Sequence, residues 1–351
     1  MRDLLLGPES RWGFGMSSPI VVSGRRLRPT AVYEAYWRFA DERQRTFYRK
    51  KRGDIVLTKD PIIAAFRFTN AYRVIDRVTQ YLISHVIPDG VAQARNLLFR
   101  VLLFKVFNKI ETWRLLEDSL GPPSVDSFDW SAADGVLSGA LEMGQRVYSA
   151  AYIMPTPRLG ARYKHSNHLL LLRRLVESHL ASAWVASRSL RALYELLLGI
   201  PSFGKFLSYQ YAIDLNYTDA IKFDEDSFVI AGPGAIDGIS KCFENAGDIE
   251  PEAIIKIVSE RQDEEFVRFG LDFPKLYGRR LKLIDCQNLF CEISKYSRIS
   301  HPYIRGASGR TSIKQTYRPK AASLEEPRFP TSWSLTASKG YEDTVVPIFP
   351  R

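Results

Sequence analysis

The chain has 351 residues with 49 Lys or Arg against 39 Asp or Glu, so its formal net charge is +10, which favours a polyanionic partner. No apolar run approaches the roughly 20 residues of a membrane span, and the start of the chain does not have the pattern of a signal peptide. The three cysteines form no CxxC pair and no Cys/His cluster with zinc spacing, so we expect a cytoplasmic protein without metal or disulfide framework.

Hydrophobic periodicity predicts a chain that is helical almost throughout, with only 227–231 resembling a strand. Residues 1–28 lack periodicity and are expected to form an irregular lead-in. Beyond residue 300 apolar residues become rare and basic residues accumulate, which predicts an irregular basic tail over 301–351. A Pro-containing extended segment at 151–157 is expected to separate two lobes. The predicted helices cover 30–51, 60–85, 93–116, 131–143, 166–187, 189–198, 205–215, 235–243, 252–268 and 273–296.

The segment 189–215 is expected to be a pair of helices joined by a tight hairpin. Gly199 falls where the first helix would end, and Gly204 precedes the second. The free N–H groups and positive dipole end of the second helix, with Lys205 beside them, would suit a DNA phosphate. An ordinary corner between two helices explains the same pattern, so the hairpin is either a corner or a phosphate grip.

Polar residues interrupt the second predicted helix, which is otherwise largely apolar. Asn70, Arg73 and Arg77 would share one face at i, i+3 and i+7, with Asp76 close by. Buried charges are costly unless they are paired or bound to a ligand. The row is therefore either an internal ion-pair network or the floor of a polar pocket.

Two later helices also carry polar groups. Asn108 and Glu111 are i, i+3 neighbours in the third predicted helix, where we expect a raised pKa for Glu111 unless an arginine pairs with it. Asp285, Asn288 and Glu292 fall within reach of one face of the last predicted helix. Such side chains can read the edge of a base, although capping and bonding between helices are commoner uses.

An acidic cluster, Asp224, Glu225 and Asp226, follows the hairpin, and Asp237 lies beyond a Gly-Pro-Gly sequence. One carboxylate near a sugar can stabilise the positive charge that develops when an N-glycosidic bond is cleaved, or can activate water. A solvated loop and a helix N-terminal carboxylate explain the same residues. The Gly-Pro-Gly sequence lacks the spacing of a Rossmann turn or a P-loop, and the chain has no nucleophile elbow and no HExxH.

Several motifs in order carry a resemblance to a known family. Over residues 30–300 the chain resembles the alpha-glutamyl/putrescinyl thymine pyrophosphorylases and the related helical domain attached to 5-hydroxymethyluracil DNA kinases. This family is linked to hypermodified bases in phage DNA and is similar to the helix-hairpin-helix DNA glycosylases. The motifs lie at 66–77, 107–113, 200–210, 226–235 and 285–296.

The resemblance implies an all-α, glycosylase-like helical fold in two lobes over 29–300, with no cofactor. The glycosylase hairpin follows L-P-G-[VI]-G-x-K-T-A, and this chain matches its proline and its second glycine, Gly204. Ser202 replaces the first glycine. Phe206 stands where bifunctional enzymes carry their Schiff-base lysine, which favours a monofunctional mechanism. Asp226 is the first candidate for the catalytic carboxylate because it belongs to a matching motif, and Asp237 is the second.

The leading hypothesis is a monomeric DNA glycosylase in anti-phage defence. It would flip a hydroxymethylated or glucosylated pyrimidine out of double-stranded phage DNA and leave an abasic site. One alternative is a transferase or pyrophosphorylase-like enzyme that leaves a hypermodified thymine attached, and another is a non-catalytic DNA-binding module. The predicted site combines catalytic Asp226 and Asp237, DNA contacts at Gly199, Ser202, Gly204 and Lys205, and a base pocket of Asn70, Arg73, Asp76, Asn108, Glu111 and Asn288.

Overall fold

Helices form most of the protein in the computed structural model, which describes residues 19–87, 93–151, 154–318 and 325–335. These ranges contain two strands, β1 (Val21–Val22) and β2 (Arg25–Arg26), which form a small antiparallel ribbon. The predicted all-α class is confirmed. The helices are α1 (Ala31–Arg52), α2 (Pro61–Ala65), α3 (Arg77–Tyr81), α4 (Ala94–Phe107), α5 (Ile110–Leu120), α6 (Trp130–Glu142), α7 (Lys164–Glu177), α8 (Leu180–Ala183), α9 (Leu190–Leu198), α10 (Lys205–Asn216), α11 (Pro233–Cys242), α12 (Pro251–Glu260), α13 (Gln262–Arg268) and α14 (Leu283–Ser300).

Two groups of helices share the core. The first helix, α1, packs with α11 and α14 from the end of the helical region, and α12 lies beside them. In the second group, α4 packs against α5, α7, α8 and α10. Helix α4 is apolar on nearly all sides and buried from Leu97 to Phe107, as its sequence predicts for a central helix. Helix α10 packs against both α4 and α9, so it carries the hairpin into the interior.

Helices α11 and α14 form the most extensive helix pair among the described residues. Gly238 lies where they cross, and a Cβ atom there would lie 2.0 Å from the carbonyl oxygen of Phe290. Only a residue without a side chain allows the backbones to approach so closely. The crossing therefore depends on this glycine.

The single helix predicted over 60–85 is wrong. The chain leaves α2 at Phe66 and runs as an irregular segment, which we call the 66–76 loop, with a short 3-10 turn at Arg73–Ile75. Carboxylates take N–H groups that a helix would have used: Asp285 accepts from Arg73 N at 2.7 Å, and Asp76 accepts from Asn70 N at 2.9 Å. The tail contributes as well, since Arg67 N donates to the carbonyl of residue 315.

Other predicted helices are shorter than expected for local reasons. The helix at 93–116 is divided at Asn108, which adopts a left-handed conformation with φ of 48°. The helix expected from residue 273 begins only at Leu283. The segment 227–231 is not a strand, and the described part of the predicted lead-in, 19–28, includes the β1–β2 ribbon with buried Ile20 and Leu27. Residues 1–18 lie outside the described residues.

In the described part of the chain we find no helix with the length and apolar character that crossing a bilayer requires.

Candidate functional site

The hairpin presents an exposed, uncapped helix end. Helix α9 ends at Gly199 and α10 starts after Gly204, which provides no side-chain cap, while Lys205 is exposed beside it. Ser202 has a φ of 71°, a left-handed conformation that glycine adopts most easily. The position at which the glycosylase pattern has its first glycine therefore keeps a glycine-like backbone with a serine side chain.

The same segment has the spacing of a nucleotide-binding loop without its structure. Gly199 to Lys205 reads GxxxxGK, the start of a P-loop pattern. Phe206 occupies the place of the Ser or Thr that would hold Mg²⁺, and a helix rather than a strand precedes the turn. The hairpin therefore lacks two parts that a P-loop needs.

One face of α10 leads from this turn into the interior. Phe206, Gln210 and Asp214 follow each other at i, i+4 and i+8, so they lie on one side of the helix. The Phe206 ring lies against Gly232, where a Cβ atom would be only 2.7 Å away. Farther along, Gln210 donates to Gln287 of α14 at 3.4 Å. The exposed hairpin and the buried interior are thus joined by one row of side chains.

This row ends at a group of buried charges. Asp214 is fully buried and pairs with Arg73 Nη2 at 2.7 Å and with Lys105 Nζ at 3.0 Å. Burial lowers the pKa of Lys105, and the Asp214 carboxylate acts against that shift. Lys105 also donates to Asn108, so the left-handed residue that ends α4 belongs to the same network. An ion pair buried this deeply needs each of these partners.

A second buried carboxylate, Glu225, lies close to the first pair. It accepts from Arg279 Nη2 at 2.8 Å, and burial raises its pKa to about 7, with the nearby Asp285 carboxylate adding to the shift. Burial likewise raises the pKa of Asp285 to about 6, even though Asp285 accepts the backbone N–H groups of Arg73 and Lys282. We call the residues of both groups the charged cluster: Arg73, Lys105, Asp214, Glu225, Arg279 and Asp285.

Glu225 was not singled out by its sequence. Its neighbours Asp224 and Asp226 are exposed and half-buried, while Glu225 is 4% exposed. Its burial depends on Arg279, far along the chain, and no local spacing indicates that pairing. A carboxyl group with a pKa near neutral pH can exchange protons with a substrate, so Glu225, beside the Arg279 cation, is a candidate for acid–base chemistry.

Asp226, the first catalytic candidate from the sequence, lies at the edge of the charged cluster. Its carboxylate pairs with Lys282 Nζ, and its other oxygen, Oδ1, is buried with no hydrogen-bond partner among the described residues. Asp226 therefore keeps one buried oxygen without a hydrogen bond among the described residues, beside the residue that pairs with Arg279.

Asp237, the second candidate, has a different environment. Its Oδ2 accepts from the Ser294 hydroxyl and lies 3.7 Å from Lys241 Nζ, while Oδ1 accepts from Ser308 N at 2.6 Å. Burial raises its pKa, but these hydrogen bonds and the cation outweigh burial and lower it overall. Both oxygens are occupied, which favours a role in holding the tail against α11 and α14.

The 66–76 loop brings together three residues of the predicted base pocket. Asn70 accepts from Arg43 Nη2 at 3.0 Å and donates to the carbonyl of Ile75 at 3.0 Å. Burial raises the pKa of Asp76 to about 7, and Arg73 reaches the charged cluster. The prediction that these residues come together on one face of a helix is therefore wrong, because a loop positions them.

Two further residues of the predicted base pocket, Asn288 and Glu111, lie in different parts of the structure. Asn288 is half-buried on α14 between Asp285 and Glu292, both of which bond to the 66–76 loop. Glu111 is exposed, and its pKa is not raised, because an arginine pairs with it: burial alone would raise the pKa, but the backbone N–H of Glu111 and the charge of Arg77 lower it overall. The Glu111 carboxylate lies 3.7 Å from Arg77 at the surface, outside the charged cluster.

Comparison with known proteins gives one family. The family model described as the helical domain of 5-hmdU DNA kinase matches residues 30–306. The 5-hmdU DNA kinase of Bacillus phage SP10 is 26% identical over 288 residues, which cover 76% of this chain and 45% of that protein, so the chain matches less than half of the relative. No solved structure gives a significant match. Because the family model covers most of the chain, the protein belongs to the family of the 5-hmdU DNA kinase helical domain.

Proposed function

We propose that this protein binds double-stranded DNA and transfers a group at the modified position of a 5-hydroxymethyluracil-derived base, which stays attached to its sugar. The observation that carries the proposal is Glu225, a buried carboxyl group with a pKa near 7 beside a cation. Family membership supports the choice of base, since the matched relative is named for 5-hmdU in DNA. The alternative that the sequence left open is thus favoured over excision.

The proposed reaction is a displacement at the exocyclic carbon of the base. The carbon–oxygen bond to a pyrophosphate leaving group breaks, a bond to an incoming amine forms, and the Glu225 carboxylate accepts the proton that the amine loses. Arg279 and Lys282 supply positive charge beside the acidic residues, where they would stabilise the departing pyrophosphate. Phosphoryl transfer from a nucleotide is not proposed, because the hairpin lacks the residue that would hold Mg²⁺.

The hairpin is the proposed contact with the DNA backbone. The start of α10 has a positive dipole end and no side-chain cap, and Lys205 is exposed beside it. The row of Phe206, Gln210 and Asp214 then connects this contact to the charged cluster. The hairpin would thus hold the duplex close to the cluster that a base turned out of it must reach.

Excision of the base remains the competing function. The glycine-like backbone at Ser202 supports it, because the glycosylase hairpin has glycine there. A carboxylate at Glu225 or Asp226 would then stabilise the charge on the sugar instead of accepting a proton from an amine. The anti-phage role stays a prediction.

One reaction separates these functions. We would incubate the purified protein with a duplex that carries one pyrophosphorylated 5-hydroxymethyluracil, with an amine present, and use a thymine duplex as control. Release of pyrophosphate with an intact strand of altered mass supports the transferase. Alkali-labile abasic sites would instead support excision, and binding without either product would leave a DNA-binding module.

Lys205→Ala tests the DNA contact. It should weaken duplex binding several-fold and reduce the slope of log affinity against log salt by about 1, because one phosphate contact is lost. Lys256→Ala, which removes an exposed lysine from α12, is the matched control. Equal affinities and salt slopes for the two variants would argue against the hairpin as a DNA contact.

A further inference from the structure

Residues 325–335, which we call the strap, lie against the charged cluster. They fall beyond the residues that the family model matches, so nothing about the family assigns them a role. Within the strap, a 3-10 turn at Thr331–Trp333 directs Trp333 towards the cluster, and Trp333 is packed against the core. The strap thus contacts Arg279, the residue that binds Glu225.

The indole of Trp333 fills a slot between aromatic and cationic groups. The guanidinium carbon of Arg279 lies 3.4 Å from the centre of the indole, which is the distance of direct stacking. The ring of Tyr217 meets the indole edge-on at 5.8 Å between centroids, and Phe329 stacks near it at 6.2 Å and 20°. Arg279 also holds Glu225, and Tyr217 contacts Arg73, so the slot opens directly onto the charged cluster.

The slot contains polar groups that an indole does not use. Arg279 Nε is buried and has no hydrogen-bond partner among the described residues. The Glu225 carboxyl group lies 2.8 Å from Nη2 of the same arginine. An unsatisfied buried donor costs free energy, and each such donor in a native protein calls for an explanation. The indole, which lies over the face of this guanidinium, cannot accept from Nε, whose N–H lies in the guanidinium plane, so this donor is left for another group of a ligand to reach.

We propose that the slot of Trp333 is the binding site for a flipped pyrimidine base, and that Trp333 occupies it until a base displaces the indole. This inference rests on the proposed function for the choice of a pyrimidine. The base would stack on the Arg279 guanidinium, as the indole does, while an oxygen outside the ring that lies in the guanidinium plane would accept from Arg279 Nε. The modified 5-position would then lie on the side of the charged cluster.

The strap is held by contacts that can be exchanged. Gln80 bonds to both backbone groups of Arg328, at 2.9 and 3.0 Å, and the Thr331 hydroxyl donates to Asp219. Glu326, which is 64% exposed, pairs with Lys51. Exposed pairs of this kind contribute little to stability. These polar contacts therefore oppose the displacement of Trp333 only weakly, and Trp333 is itself half-buried.

Calorimetry tests the inference by measuring how tightly the full chain binds 5-hydroxymethyl-2′-deoxyuridine 5′-monophosphate. Trp333→Ala should bind this nucleotide at least ten-fold more tightly than the wild type, because no indole competes. The double variant Trp333→Ala with Arg279→Ala should lose that gain. Trp333→Phe retains a ring in the slot and should bind as weakly as the wild type.

Trp130→Ala is the matched control, since it removes another half-buried tryptophan, on α6. Unchanged or weaker nucleotide binding by a folded Trp333→Ala variant would overturn the inference, whether or not the wild type acts on DNA. Tighter binding without any reaction on modified DNA would keep the slot and reject the proposed chemistry. Thermal unfolding of each variant verifies that it is folded.

Discussion

Two buried carboxylates, Glu225 and Asp237, show how different the consequences of burial can be. Both are at most 4% exposed and both lie beside a cation, Arg279 or Lys241. Asp237 receives hydrogen bonds at both oxygens and has a lowered pKa, whereas burial raises the pKa of Glu225 to about 7. At Asp237 the hydrogen bonds and the cation outweigh burial, whereas at Glu225 burial outweighs the attraction of Arg279, so the balance of these terms decides which carboxylate can exchange protons near neutral pH.

The same difference separates a structural role from a functional one. Asp237 binds the tail at Ser308 and the neighbouring helix at Ser294, so both of its oxygens already accept hydrogen bonds in the folded protein. Glu225 faces an arginine with a buried, unpaired Nε, so its surroundings still have hydrogen-bonding capacity. Free hydrogen-bonding capacity next to a perturbed carboxyl group is what a ligand site requires.

The largest effect should come from Asp237→Ala, which tests the structural half of this comparison. Removing the carboxylate leaves Lys241 buried without its ion-pair partner, which should cost about 3 kcal/mol of the free energy of unfolding. Urea unfolding measures it. Glu244→Ala, which breaks the exposed pair with Arg28, is the control and should cost below about 1 kcal/mol. If both variants lost a similar free energy of unfolding, the structural role of Asp237 would be contradicted.

Glu225→Gln tests the functional half. The amide retains an acceptor for Arg279 but cannot take up a proton, so the proposed transfer to modified DNA should slow by at least about 100-fold. At about pH 5, where Glu225 keeps its proton in the folded protein, the free energy of unfolding should change by less than about 1 kcal/mol. Single-turnover product formation measures the rate, with Asp224→Asn as the exposed control. An unchanged rate would exclude Glu225 as the proton acceptor.

The smallest effect concerns pH. Because the folded pKa of Glu225 is raised from 4.5 to about 7, the folded state keeps a proton that the unfolded state has lost, and this group lowers stability as pH rises through that interval. Wild type should therefore lose about 2 kcal/mol more than Glu225→Gln between about pH 5 and about pH 7. His168, whose pKa burial lowers to about 4, has the opposite slope, so the two unfolding curves must be compared directly. Parallel curves would contradict the raised pKa.

Local signals in the sequence predicted the hairpin well. Ser189 caps α9, Gly199 ends it and Gly204 precedes α10, because each of these residues acts on the backbone beside it. The left-handed Asn108 belongs to the same class, since asparagine tolerates that conformation, although the sequence was taken to continue as helix. Element ends set by nearby residues are therefore accessible without a structure.

Contacts between residues that are far apart in the chain determine the features that the sequence did not predict. The 66–76 loop replaces a predicted helix because Asp285 binds Arg73 N and the tail pairs with Arg67, and both partners are more than 200 residues away. Glu225 is distinguished from Asp226 by Arg279 alone. The members of the charged cluster could be suspected from residue type, but their assembly depends on tertiary packing.

The contact between Gly238 and the carbonyl of Phe290 has a mechanical consequence. Two helices that touch through their backbones cannot be moved apart or together by changes of side-chain rotamer, because no side chain separates them. Helices α11 and α14 therefore act as a fixed wall behind the charged cluster. Space for an incoming base must come from groups that can move, such as Trp333, which stacks on Arg279 of the same cluster.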